Sequence, residues 1–171
     1  MTIIVETPRL ILRRLEERDA AFVLTLVNDA DWLKFIGDKG VRTLDDARAY
    51  LRNGPIAMYA RHGHGLYCVD SKAGGEAIGM CGLIKRDTLA DIDLGFAFLP
   101  QARGGGYAYE AASATMTYAR ETLDLRRVVA IVSPGNARSI GLLEKLGFRF
   151  EKSLRLPPKE DLETLLYAAG D

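Results

Sequence analysis

A chain of 171 residues, 48% hydrophobic and 27% charged, has the size and composition of one packed domain, and the expectation is a single domain over residues 1–171. Its 23 basic and 23 acidic side chains cancel, so nothing in the charge count points to a nucleic-acid partner. No run approaches the ~20 apolar residues of a membrane span, the N-terminus lacks a secretory signal's basic flank and apolar stretch, and two cysteines, Cys68 and Cys81, make neither a disulfide framework nor a four-ligand zinc site, which leaves a reducing, cytoplasmic setting as the default.

The first strand is expected at residues 9–15, entered after Pro8. Glu16, Glu17 and Asp19 then load negative charge onto a helix start, where the dipole favours it. That helix carries Phe22, Val23, Leu26 and Val27 on one side. Thr43 and Asp46 have the spacing of a capping box, and Leu44, Ala47, Tyr50 and Leu51 follow at helical intervals until Asn53-Gly54-Pro55 breaks the pattern. Residues 66–70, 77–85 and 91–99 read as an antiparallel meander. In the last of these Ile92, Leu94, Phe96 and Phe98 alternate with Asp91, Asp93, Gly95 and Ala97. A helix over 107–121 presents a small-residue face through Ala108, Ala111, Ala112, Thr115 and Ala119, and the apolar run 128–132 suits a strand buried on both faces. The strand–helix–strand unit from 91 to 132 therefore predicts a parallel pair with a right-handed crossover. A helix over 136–146, stopped by Gly147, and strands at 148–152 and 165–168 complete a mixed α/β sheet.

The segment that carries chemistry is Gln101-Ala102-Arg103-Gly104-Gly105-Gly106-Tyr107-Ala108, between a strand and the first turn of a helix. Glycine admits close backbone approach, and the first N–H groups of a helix have no partner inside it. A diphosphate is the natural occupant of such an end, with Arg103 as an added cation. A flexible connection is the plainer reading of three glycines. The dinucleotide fingerprint fails, because Tyr109 stands at its third glycine and the following strand ends in Val132-Ser133 without a carboxylate. A P-loop would need Gly-Lys-Ser/Thr, which is absent.

Gln101, Gly104 and Gly106 fit Gln-x-x-Gly-x-Gly, and here the chain resembles the GNAT superfamily of acetyltransferases. The stretch from Asn136 through Ser139 to Leu143-Glu144-Lys145-Leu146-Gly147-Phe148, and the opening Thr7-Pro8-Arg9-Leu10-Ile11-Leu12-Arg13, resemble the RimJ/RimL-like branch that acetylates ribosomal-protein N-termini. So do Gly79 to Gly82 and Leu94-Gly95-Phe96. The resemblance implies one twisted, mostly antiparallel sheet with a central splayed parallel pair and flanking helices. It implies acetyl-CoA as cosubstrate and no metal. The backbone of Phe96, Ala97 and Phe98 would meet the pantetheine arm, the N–H groups of Arg103, Gly104, Gly105, Gly106, Tyr107 and Ala108 would hold the diphosphate, and Asn136 would touch the pantetheine side. Asn136 also reads as a plain N-cap, and Lys145 as a phosphate contact or a solvated helix-end cation.

The implied reaction must neutralise an amine. At about pH 7 an α-amino group is roughly a tenth neutral and a lysine roughly a thousandth or less, so a base matters. Asp93 stands where relatives often have a glutamate and is favoured over Asp91 as that base, directly or through water; strand carboxylates facing solvent are the alternative. Relatives place a tyrosine seven residues after the asparagine as proton donor, where this chain has Leu143. Ser139, which also touches the cofactor side, is the substitute. A local backbone bond within the first helical turn is its other reading. The acceptor is a protein N-terminus or a small amine, and only a very acidic pocket wall would favour a polycation. A non-catalytic acyl-CoA-binding domain is the competing function, and monomer and homodimer stay open. His62 and His64 read as a turn, Cys68 and Cys81 as core thiols, and Trp32, Phe35 and Tyr50 as pocket wall or packing.

Overall fold

The computed structural model describes residues 1–170. The chain opens with a hairpin, β1 Ile3–Glu6 against β2 Leu10–Arg14, in which Thr7 N–H donates to Leu10 O at 2.9 Å. Four short helices follow: α1 Ala20–Leu26, α2 Ala30–Phe35, α3 Leu44–Leu51 and α4 Ala57–His62. Then come β3 Leu66–Ser71, β4 Ala77–Ile84, β5 Asp93–Phe98, α5 Tyr107–Glu121, β6 Arg127–Val132, α6 Ala137–Lys145, β7 Arg149–Leu154 and β8 Thr164–Gly170. The strands form one sheet in the order β1-β2-β3-β4-β5-β6-β8-β7. The pair β5–β6 is parallel and every other neighbouring pair is antiparallel.

Thr43 does form the expected capping box with Asp46. The break expected at Pro55 does not occur. Residues Arg52–Ile56 form a wider, π-helical turn that runs on into α4. A π turn absorbs the missing proline donor without ending the helix. Strand β1 is also additional to the expected set.

Both faces of the sheet are covered. On one face α5 lays Ala111, Ala112, Met116 and Ala119 against Leu12, Val69, Cys81, Leu83 and Phe98. On the other, Val23, Leu26, Val27, Ala47 and Leu51 from the N-terminal helices pack over Cys68, Met80 and Leu99. Cys68 and Cys81 are buried, free, and on opposite faces. Desolvation raises both thiols, Cys81 to about 12. Arg13 is 4% exposed and pins β2 to the start of α1 and to β3. It donates from Nε to Asp70 Oδ2 at 2.6 Å and from Nη2 to Asp19 Oδ1 at 2.9 Å, and the hydrogen bond to Asp19 is the main reason its guanidinium is raised above its ordinary value.

Candidate active site

The parallel pair is joined at one end only. Asp93 faces Val129 in register, and Val129 N–H donates to Ile92 O at 3.0 Å. Beyond that point β5 continues pairing with β4 through Gly95, Phe96, Ala97 and Phe98, and β6 with β8 through Val132. Neither strand pairs further with the other, so the C-terminal halves present facing, unpaired backbone edges.

Past the open end of β5 the chain reaches the glycine loop. Gly104 and Gly106 have φ of +86° and +82°, a left-handed conformation that glycine adopts without steric penalty. Arg103 N–H is already bonded to Pro100 O at 3.2 Å, and Glu110 N–H is the first to bond back, to Gly106 O at 3.0 Å. The amides of residues 104–109 donate to no backbone carbonyl among the described residues. They sit at the N-terminus of a 15-residue helix, where the dipole favours negative charge. Arg9 holds the loop from outside: Nη1 donates to Gly105 O at 2.8 Å, Nε to Glu110 Oε1 at 2.8 Å, and its guanidinium lies 4.3 Å from the Tyr107 ring centroid.

The Arg103 guanidinium donates to Asp29 Oδ2 at 2.8 Å and Phe98 O at 2.9 Å, with Asp31 Oδ2 at 3.0 Å. Two carboxylates answer its charge and its N–H is bonded, so the amides without a backbone acceptor begin at Gly104. Those unpaired amides and the open strand edges together fit a diphosphate on an extended, amide-bearing arm.

Asp93 lies at the fork itself and is 1% exposed. Its Oδ2 accepts from Arg86 Nε at 2.9 Å, while Oδ1 is buried without a partner. Desolvation raises this carboxyl above its ordinary value, with Arg86 acting in the opposite sense. Asp91 is elsewhere, bonded to Arg127 Nε at 3.0 Å. A cavity of about 540 Å³ opens over Asp93, walled by Trp32, Phe35, Tyr50, Phe96, Ala97, Asn136, Ser139 and Leu143. A smaller one, about 370 Å³, shares Phe96, Ala97, Asn136 and Ser139 and adds Phe98, Arg103 and Ala108. Gly104, Gly105, Gly106 and Tyr107 border neither. Asn136 is an N-cap, its Oδ1 accepting from Ser139 N–H at 3.3 Å, and it also walls both cavities. Lys145 stacks its ammonium 4.2 Å from the Tyr109 ring centroid. His64 is buried with Nδ1 2.8 Å from Leu83 O.

Sequence reading missed Arg86, Arg9 with Glu110, and the Asp29/Asp31 pair. Arg9 meets Glu110 from 101 residues away and Arg103 meets Asp29 from 74, separations that no local pattern encodes. Arg86, seven residues from Asp93, was within reach of a search for a cation near the candidate base.

Comparison with known proteins agrees with this geometry. The family model described as Acetyltransferase (GNAT) domain matches residues 9–149. The uncharacterized protein YkkB of Bacillus subtilis is 30% identical over 152 residues, 87% of each chain. The crystal structure of an acetyltransferase from Agrobacterium tumefaciens superposes with a TM-score of 0.81 at 29% identity, covering 100% of this chain and 95% of that one. RimL, a ribosomal L7/L12 α-N-protein acetyltransferase solved in complex with coenzyme A, shares the fold with a TM-score of 0.78 at 20% identity, over 98% of this chain and 97% of its own.

Proposed function

Because the chain belongs to the GNAT acetyltransferase family, we propose that it transfers the acetyl group of acetyl-CoA to a primary amine by direct attack in a ternary complex. The observation that carries this reading is the buried Asp93 carboxylate, with one oxygen unpartnered, at the point where β5 and β6 separate. The fork supplies two free backbone edges for the pantetheine arm, at Phe96, Ala97 and Phe98. The amides of Gly104, Gly105, Gly106, Tyr107 and Ala108 supply the diphosphate cradle. Asn136 lies between the two cavities on the same path.

Asp93, which lines the larger cavity, takes the proton of the entering ammonium directly or through one water. A carboxyl raised by desolvation is a better base near neutral pH than an ordinary one, and Arg86 on Oδ2 opposes that rise. The amine nitrogen then bonds to the acetyl carbon, the carbon–sulfur bond breaks with its electron pair leaving on sulfur, the nitrogen sheds its second proton to water as the amide forms, and the thiolate takes up a proton. Ser139, on the wall shared by the two cavities, is the proton donor in this reading. With a thiol pKa of about 8.5 the sulfur leaves readily, which accommodates Leu143 where a tyrosine would stand. Neither cysteine acts as an acyl carrier, since both thiols are buried and raised.

Calorimetry with acetyl-CoA and a thiol-release assay over an amine panel test the proposal. Binding with turnover is the expected result. Binding without turnover on any amine would support the acyl-CoA-binding alternative, and no binding would remove the cradle assignment.

A further inference from the structure

The charged groups around the larger cavity are unequally partnered. Two of its three carboxylates are answered: Asp93 by Arg86 at 2.9 Å, and Asp38 by Arg42 at 2.5 Å and Gly40 N–H at 2.8 Å. The third, Glu163, accepts from the Ser153 hydroxyl at 2.8 Å and has no cation within 4.0 Å among the described residues. The lysines on the same wall, Lys34, Lys39 and Lys159, have no carboxylate within 4.0 Å among the described residues. Three uncompensated ammonium groups thus face one uncompensated carboxylate. Desolvation first, and then the positive charges of Arg86 and Lys159, hold the Lys39 ammonium below its ordinary value. The wall of this cavity carries more unpaired basic than acidic groups, in a chain whose net charge is zero.

Two segments of this wall also touch. Lys159 Nζ reaches Ile36 O at 3.4 Å. A Cβ on Gly37 would come within 2.1 Å of the same Nζ, so the 36–39 segment and the loop carrying Lys159 are in contact. The space inside, about 540 Å³, lies within the range of small-ligand sites, and part of it must accept the acyl end of the cosubstrate.

An electropositive cavity acts twice on an incoming amine. It draws in a negative group and repels a polycation. It also disfavours the ammonium form of the acceptor, which lowers the amine's pKa and assists Asp93. From the three lysines without a carboxylate partner on the wall of the cavity that Asp93 also lines, we infer that the acceptor is a small amine carrying its own anionic group, a carboxylate or phosphate, with the anion at Lys39 and Lys159 and the nitrogen at Asp93. This rests on the acetyl-transfer reading and excludes polyamines, aminoglycosides and uncharged peptide N-termini as preferred acceptors.

The test is thiol release at saturating acetyl-CoA with four matched sets: α-amino acids, their amides, aminoalkyl phosphates beside their alcohols, and a polyamine with a neutral free-N-terminus peptide. The expected result is a kcat/KM for the anionic member about tenfold or more above its neutral partner, the scale of one charge-assisted contact. The carboxylate and phosphate sets decide which anion is used. Lys39→Gln and Lys159→Gln should each cut that ratio about fivefold or more through KM, with acetyl-CoA affinity by calorimetry unchanged and Lys39→Arg retaining the preference. Equal or better use of the amides, preference for the polyamine or peptide, or a ratio that survives both glutamine variants would overturn the inference while leaving acetyl transfer standing. Acetyl-CoA binding with no turnover in any set would remove acetyl transfer itself, and the acceptor assignment with it.

Discussion

Replacing Asp93 by asparagine should separate catalysis from folding. The two side chains have nearly the same size, so the variant removes the charge and the proton-accepting oxygen and leaves packing intact. Loss of a general base typically costs about 10²–10⁴ in rate, which is about 2.7–5.5 kcal/mol of barrier. Stability should move the other way at neutral pH. Asp93 is buried, with one oxygen unpaired and its carboxyl raised by desolvation, so the folded state holds that proton more tightly than the unfolded chain. Folding then carries no penalty below the unfolded carboxyl value of 3.8 and a growing one as pH rises through the folded value. The asparagine variant escapes this penalty. Its new costs are an amide N–H₂ at the buried, unpartnered position and an Arg86 left without its carboxylate, a side chain that is 37% exposed and can turn to water, both smaller than the burial of a charge. The assay is thermal unfolding across pH beside kcat/KM for thiol release. The expected pattern is a melting temperature equal to or above that of the parent at neutral pH, converging toward it in acid. The activity loss should erase the acid limb of the kcat/KM profile, a limb set by a carboxyl above the ordinary range. In a chain of this length 1 kcal/mol is roughly 2–4 °C. A fall of several degrees at neutral pH together with lost activity would make Asp93 a structural residue and refute the assignment.

Arg9→Ala removes the bonds to Gly105 O and Glu110 and the stacking on Tyr107; acetyl-CoA affinity, by calorimetry, should weaken about tenfold, the scale of one charge-assisted contact, with kcat at saturation largely kept. Gly79→Ala places a methyl 2.5 Å from the Phe98 ring, an overpacking that should cost about 1–3 kcal/mol, read as a melting temperature lower by several degrees. Cys68 and Cys81, buried with raised thiols, should resist alkylation in the folded protein, and brief reagent treatment should leave activity intact. Mass spectrometry checks the first and thiol release the second, and fast labelling of either would contradict the burial.

The parts of the site written locally were legible. Three glycines between a strand and a helix announced a loop that needs left-handed φ, which Gly104 and Gly106 adopt, and Thr43 with Asp46 announced a helix start. The alternation in β5 correctly put Asp93, Gly95 and Ala97 on one face, but not what that face meets. Helices cover the sheet on both sides, so the polar face of β5 borders an interior cavity and Asp93 is buried. Strand β1 escaped notice because four residues at a sheet edge carry too short a pattern. The ion pairs of Arg103 were hidden because Asp29 and Asp31 reach it from another element. The cations on the cavity wall were invisible for a similar reason: Lys34 and Lys39, Arg86 and Lys159 come from three separated segments, and a balanced total charge conceals their convergence.

The half-joined strand pair has a consequence for the life of the protein outside its reaction. Its central sheet is paired at one end and open at the other, where the proposed acetyl donor would lie. A ligand that binds only the folded chain adds stability by mass action, about 2.7 kcal/mol at a hundred times its dissociation constant. The fraction of molecules open to proteases would then fall as the acetyl donor becomes plentiful and rise as it is depleted. Abundance of the enzyme would thereby follow the acetyl supply of the cell, with no regulator beyond the gap between two strands.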